Sequence, residues 1–204
     1  MTKLPVYVVD DEEPIRRSAC LLLKVAGFAP DPFESGRVFL EAEAKLEPGC
    51  VLLDIRMPDI DGITVQRQLV ERGSRHATVI VTGHGDVASA VAALDAGAVT
   101  FIEKPFSRTQ LMPAVEFAFS KIENGQAYRD HLDAARKRVE SLGTREREVL
   151  SMYAQDKSSE QIAATLGAPP AEIDMSRALI LQQLEVDSIA AALTLAFAAA
   201  RAAP

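Results

Sequence analysis

Up to about residue 123, short apolar runs alternate with stretches whose apolar positions recur every three or four residues. That alternation predicts βαβ units around a parallel sheet. Val6-Tyr7-Val8-Val9, Cys50-Val51-Leu52-Leu53, Thr78 to Thr82 and Val99-Thr100-Phe101-Ile102 read as buried strands. Phe28 to Phe33 reads as another, but Pro30 and Pro32 remove two N–H donors and confine it to a sheet edge. The strand order 2-1-3-4-5 satisfies that constraint. Between the first two strands, Pro14 fits a first helical turn, Ile15, Ala19, Leu22, Leu23 and Ala26 share a face, and Gly27 ends the run. Ser35 and Ser107 stand where later helices would be capped.

From Lys121 onward the periodicity is helical throughout. Leu132, Ala135, Val139 and Leu142 form one apolar stripe along a polar stretch. Residues 124–141 therefore read as a helical linker, broken at Gly125, that serves either as a solvated connector or as a seam between two copies. A second, all-helical unit spans 142–204. Thr144 is expected to cap its first helix, and Ser158 with Gln161 forms a capping box before Ile162, Ala163 and Leu166, closed by Gly167. Pro169-Pro170 starts a third helix with Ile173, Ile180, Leu181 and Leu184 inward. Ser188 opens a fourth that is apolar almost all round, which implies burial or an oligomer contact.

Composition narrows the class. About half of the 204 residues are apolar and a quarter charged, an ordinary globular balance. The run Leu4 to Val9 already reads as a strand, so no secretory leader is expected. The C-terminal apolar stretch from Ile189 to Ala203 is too short to span a bilayer. Two cysteines, Cys20 and Cys50, argue against a disulfide framework and for a reducing cytoplasm. Net charge is −7, divided as −5 over residues 1–123, +1 over 124–141 and −3 over 142–204.

Candidate chemistry gathers at the strand ends. Asp10 and Asp11 follow the first strand, Asp54 ends the third, Thr82 ends the fourth, and Lys104 follows the fifth. In an open parallel sheet, ligands collect beyond the carboxyl ends of the strands. Three acids there suit Mg²⁺, which takes oxygen ligands, with Asp11 and Asp54 binding directly, Asp10 through water, and a backbone carbonyl just after Asp54. With a metal gathering the reactants, Asp54 becomes a competent nucleophile toward a phosphoryl group. Lys104 and the Thr82 hydroxyl would hold its oxygens, and Gly83 would keep it accessible. Taken singly, these are ordinary surface acids and a lysine paired with Glu103. Taken together and in this order, they describe a site. His84 reads as a loop residue beside it, and His76 and His131 show no metal-ligand spacing.

Val9-Asp10-Asp11-Glu12, Leu53-Asp54-Ile55-Arg56-Met57-Pro58, Val81-Thr82-Gly83 and Phe101-Ile102-Glu103-Lys104-Pro105-Phe106 resemble the receiver domain of two-component response regulators. The resemblance covers roughly residues 4–123. It implies a flavodoxin-like α/β receiver domain with a five-stranded parallel sheet. Asp54 would be the phospho-acceptor for a sensor histidine kinase, and Asp10, Asp11 and the Arg56 carbonyl would hold Mg²⁺. Thr82 and Phe101 would be a switch pair, Phe101 rotating inward as Thr82 turns to the phosphoryl group, and the Lys104–Pro105 bond would be cis. The face of helix 4, strand 5 and helix 5 would then repack, driving homodimerisation or releasing the C-terminal domain.

Residues 142–204 resemble the helix-turn-helix domain of FixJ/NarL (LuxR-type) regulators, on Leu142-Gly143-Thr144-Arg145-Glu146-Arg147-Glu148-Val149-Leu150, Ser158-Ser159-Glu160-Gln161-Ile162-Ala163, Leu166-Gly167, Ile173, Arg177 and Leu184. The third helix, Pro169 to Leu184, would enter the major groove of promoter DNA. It carries Glu172 and Asp174 but one base, Arg177, and family members usually have basic residues where this chain has Glu160, Asp174, Ser176 and Leu179. Two readings follow. The module binds DNA through Arg177, Lys157, Arg145, Arg147 and dimerisation, or it is a protein-interaction domain controlled by phosphorylation. An enzyme is disfavoured, since Arg56 stands where a second general acid would be and no cap insertion appears. Only self-phosphorylation from a donor and slow self-hydrolysis are expected.

Overall fold

The computed structural model describes residues 5–83 and 87–202, so His84 and Gly85 lie outside the described residues, as does Leu4. The chain divides into two compact units, the first ending at Tyr128 and the second beginning at Arg129.

The first unit is built on β1 (Val6–Val9), β2 (Pro30–Phe33), β3 (Cys50–Asp54), β4 (Ala77–Thr82) and β5 (Thr100–Glu103), all parallel in the order β2-β1-β3-β4-β5. The two prolines do lie on the edge strand. Helices α1 (Glu13–Val25), α2 (Gly36–Ala42), α3 (Gly62–Glu71), α4 (Val87–Asp95) and α5 (Arg108–Glu123) connect and cover the sheet. Alternate residues of each strand point to opposite faces. Val6, Val8, Cys50, Leu52, Val79 and Val81 accordingly pack with Ala19 and Leu23 of α1 and Leu111, Val115, Ala118 and Phe119 of α5. The intervening Tyr7 meets Phe33, Phe39 and His76 in an aromatic cluster. His76 is therefore a structural residue, its ring hydrogen-bonded with the Gly49 backbone, and burial keeps its pKa below the ordinary imidazole value.

Register fixes the functional edge. Val9 pairs with Leu53, Asp54 with Val81, and Thr82 with Glu103, so the strand ends that carry the acids, the threonine and the lysine lie at one level. Ser35 accepts from the Val38 amide at the start of α2 and Asp61 from that of Thr64 at the start of α3. At α5 the Gln110 side chain reaches back to the Ser107 amide.

α6 (Gly125–Glu140) is followed by α7 (Thr144–Tyr153), α8 (Ser159–Leu166), α9 (Pro170–Gln183) and α10 (Ile189–Arg201). In the second unit Val149, Leu150, Ile162, Ile173, Ile180, Leu184 and Leu193 form the core, with α7, α8 and α10 all packed on α9. The capping box at Ser158 and Gln161 is present, and Gly167 ends α8 in the left-handed conformation with φ 60°. α10 is buried along Ala190, Ala192, Leu193, Ala198 and Ala199.

Three expectations change. Gly143, not Thr144, is the N-cap of α7, and the Glu146 carboxylate lies in the space beside it. Leu132 and Ala135 of α6 are buried within this chain, so the stripe is not left as a seam between copies. Leu181 is only half-buried, since the inward stripe of α9 runs through Ile173, Ser176 and Ile180.

Gly62 holds α3 against the end of β3. Its amide donates to the Ile55 carbonyl, and a Cβ there would lie 2.1 Å from the Asp54 carbonyl oxygen and 2.9 Å from Ile55 Cα. Gly62→Ala is expected to lower unfolding stability by about 1–3 kcal/mol, the usual cost of overpacking against backbone. Chemical denaturation checks this, and an unchanged midpoint would mean that the turn yields freely.

Candidate acidic site and helix-turn-helix surface

Asp10 continues directly from β1, Asp54 is the last residue of β3, and both are 3 % exposed. Asp11 is exposed beside them. One carboxylate oxygen from each of the three lies within 4.8 Å of the others. The Lys104 ammonium sits 2.8 Å from Asp10 Oδ2, 3.1 Å from Asp54 Oδ1 and 3.4 Å from Glu12 Oε1. Its partners are thus across the sheet edge rather than the adjacent Glu103. The Lys104–Pro105 bond is cis.

The charges do not balance. Burial lifts Asp54 to about 6, against the opposing pull of Lys104, and the Asp10 charge adds to the rise. Burial also raises Asp10, although Lys104 and the Glu12 amide stabilise its carboxylate. Burial works against the Lys104 ammonium too, yet its bonds to Asp10 and Asp54 prevail and hold it above the ordinary lysine value. One lysine among three aspartates leaves negative charge uncompensated, and hard carboxylate oxygens at this spacing fit a divalent cation such as Mg²⁺.

Thr82 is 1 % exposed, and among the described residues its hydroxyl has no hydrogen-bond partner. Gly83 follows it with open space where a side chain would be. Phe101, opposite Ile80 in the register, is 5 % exposed. Arg56 is exposed two residues beyond Asp54. Two contributors were not anticipated. Glu12, given no role beforehand, is a third anionic partner of Lys104, and the Arg16 guanidinium donates to the Asp10 carbonyl at 2.6 Å. Their positions just after Asp10-Asp11 were the available signal.

In the second unit, α8 and α9 form the helix-turn-helix, joined through Gly167. Arg177 is exposed on α9. Lys157, half-buried, precedes α8. Arg145 pairs with Glu148 at 3.3 Å, and Arg147 donates to the Glu140 carbonyl, so both are engaged within the chain. Ser176, which the sequence pattern sets among the contact positions, is buried and belongs to the core stripe.

The model of the response regulator receiver domain matches residues 6–116, and that of bacterial regulatory proteins of the luxR family matches residues 140–196. The chain belongs to the response regulators. Among relatives, the transcriptional regulatory protein FixJ of Rhizobium meliloti is 36 % identical over 189 residues, 93 % of each chain. FixJ of Bradyrhizobium diazoefficiens is 35 % identical over 198 residues, 97 % of each. Full-length crystalline FixJ from B. japonicum superposes with a TM-score of 0.59 at 35 % identity, covering 98 % of this chain and 99 % of that one. This response regulator therefore joins a receiver domain to a LuxR-type helix-turn-helix domain, in the FixJ/NarL manner. Its relatives are transcriptional regulators, and among the described residues no helix is long and apolar enough to cross a membrane.

A ligand that binds only the folded site raises thermal stability, and a carboxylate must be deprotonated to hold a metal. Mg²⁺ is therefore expected to raise the melting temperature at pH 7.5. Its apparent affinity should fall by about tenfold per pH unit below about 6, where Asp54 takes up a proton. Calorimetry across pH 5 to 8 measures both, and a pH-independent Mg²⁺ response would contradict the role given to Asp54.

Proposed function

We propose that Asp54 accepts a phosphoryl group from the phosphohistidine of a sensor kinase and that this modification gates transcriptional regulation by the LuxR-type domain. The observation that carries the reading is the Lys104 ammonium bridging the buried Asp10 and Asp54 while Asp11 completes the acid cluster. In the transfer, an Asp54 carboxylate oxygen forms a bond to phosphorus as the donor's P–N bond breaks, and the released imidazole takes a proton. Asp10, Asp11, Asp54 and the Arg56 carbonyl would hold Mg²⁺, which supplies charge neutralisation and gathers the oxygens. Lys104 exchanges part of its contact with Asp54 for a phosphoryl oxygen. Thr82 has a buried hydroxyl free to donate to another, and Gly83 leaves the approach open. Catalysis is limited to this self-phosphorylation and its slow reversal by water.

Phosphorylation adds charge and three acceptor oxygens. As Thr82 turns toward them, the face formed by α4, β5 and α5 repacks around the already buried Phe101, and two copies associate in the cytoplasm. The luxR-family match supports DNA as the output partner over a protein-interaction module, although α9 is acidic. Arg177 and Lys157 are the side chains best placed to meet phosphates, with Arg145 and Arg147 available if their internal partners are exchanged. With so few cations, DNA affinity is weakened and depends on dimerisation.

Recovery of genomic fragments by the full-length protein, with and without Mg²⁺ and beryllofluoride, tests the reading. Discrete sequences should be enriched only in the activated state, and Asp54→Asn should abolish both enrichment and stoichiometric labelling by a phosphodonor. Retained labelling of that variant would refute Asp54 as acceptor. No enrichment by the activated wild type would refute DNA as the partner.

A further inference from the structure

The exposed positions of α9 include two large apolar side chains, Met175 and Leu179, where phosphate contacts would call for cations. Ile173, Ser176 and Ile180 face the core. At 3.6 residues per turn, the face farthest from them holds Ala171, Met175, Ala178 and Gln182. Met175 is 66 % exposed, and Leu179, one turn on, is 37 % exposed. Residues four apart on a helix are neighbours, so these two make one apolar ridge. Asp174 is exposed on the other side of the outward face, with Arg177 three residues on as its neighbour along the helix.

We propose that Met175, flanked by Leu179, is a specificity-determining residue that reads thymine methyl groups in the major groove, an inference that rests on the DNA-binding function proposed above. Carboxylates repel phosphates, so this face cannot act as a backbone clamp. Among the groups displayed on major-groove base edges, the thymine C5-methyl is the apolar one. An unbranched thioether is long and flexible enough to reach it. Ala171 and Ala178 on the same face let the helix come close to the bases. Asp174 accepts hydrogen bonds only, so the base next to the thymine is one presenting an amino group, cytosine N4 or adenine N6. The target is thus selected by methyl and amino groups, with positively charged contacts left to the flanks.

The test uses the full-length protein with Mg²⁺ and beryllofluoride on a duplex recovered from the fragment selection. Each thymine in turn is replaced by uracil, which keeps the hydrogen-bonding edge and lacks the methyl. Affinity should fall about fourfold at one or two positions per half-site, as for the loss of one buried methyl-sized group. Met175→Ala should bind more weakly and lose sensitivity at those positions. Because Met175 is largely in solvent and alanine favours a helix, the variant should melt as the wild type does. Tolerance of uracil everywhere, or undiminished sensitivity in Met175→Ala, overturns the methyl readout while leaving DNA binding intact. If the activated protein recovers no DNA, the regulatory reading falls and this inference falls with it.

Discussion

Two carboxylates are held almost completely out of water at the carboxyl edge of a parallel sheet, with a single ammonium between them. An isolated buried charge is costly, and the ordinary remedies are pairing, protonation or a metal. Lys104 provides the first for one charge, and the rise of Asp54 to about 6 shows the second beginning to compete. Asp11 stands close enough to help with the third. The register of β1, β3, β4 and β5 leaves no other place for these groups, and the prolines of β2 keep that strand at the edge so that β1 and β3 are neighbours. The electrostatic tension is thus a product of the topology, and the acid cluster fits a cation that would relieve it.

From that centre the consequences run along β4 and β5. Thr82 ends β4 with a buried hydroxyl that has no partner among the described residues, an arrangement that costs about 1–3 kcal/mol. Phe101 and Glu103 lie on the strand paired with it, and α4 and α5 flank the same strands. A phosphoryl oxygen that engages Thr82 therefore acts on a surface made of packed side chains. At the other end of the chain, the LuxR-type domain presents a recognition helix with an acidic and apolar exterior.

The fold was legible because its determinants are local. Apolar runs of strand length, two prolines on one of them, and cap residues at helix starts fixed the order of elements and the level of the strand ends. The acid site followed from that level alone. What the sequence concealed were choices made among neighbours in space. Lys104 selects Glu12 across the sheet edge and not the adjacent Glu103. Ser176 reads as a polar contact residue yet completes the inward stripe of α9, which leaves Met175 outward in its place. Gly143 and not Thr144 stands at the N-cap of α7, with the Glu146 carboxylate beside it. Rotamers and pairings of this kind are settled by packing, which periodicity does not encode.

The most direct test of the coupling is amide hydrogen exchange of the full-length protein with Mg²⁺, before and after beryllofluoride saturates Asp54. The account predicts altered protection across α4, β5 and α5, with smaller changes at β2 and α2. Saturation of Asp54 with exchange on that face unchanged would contradict it, and would separate the acidic site from the output it is held to control.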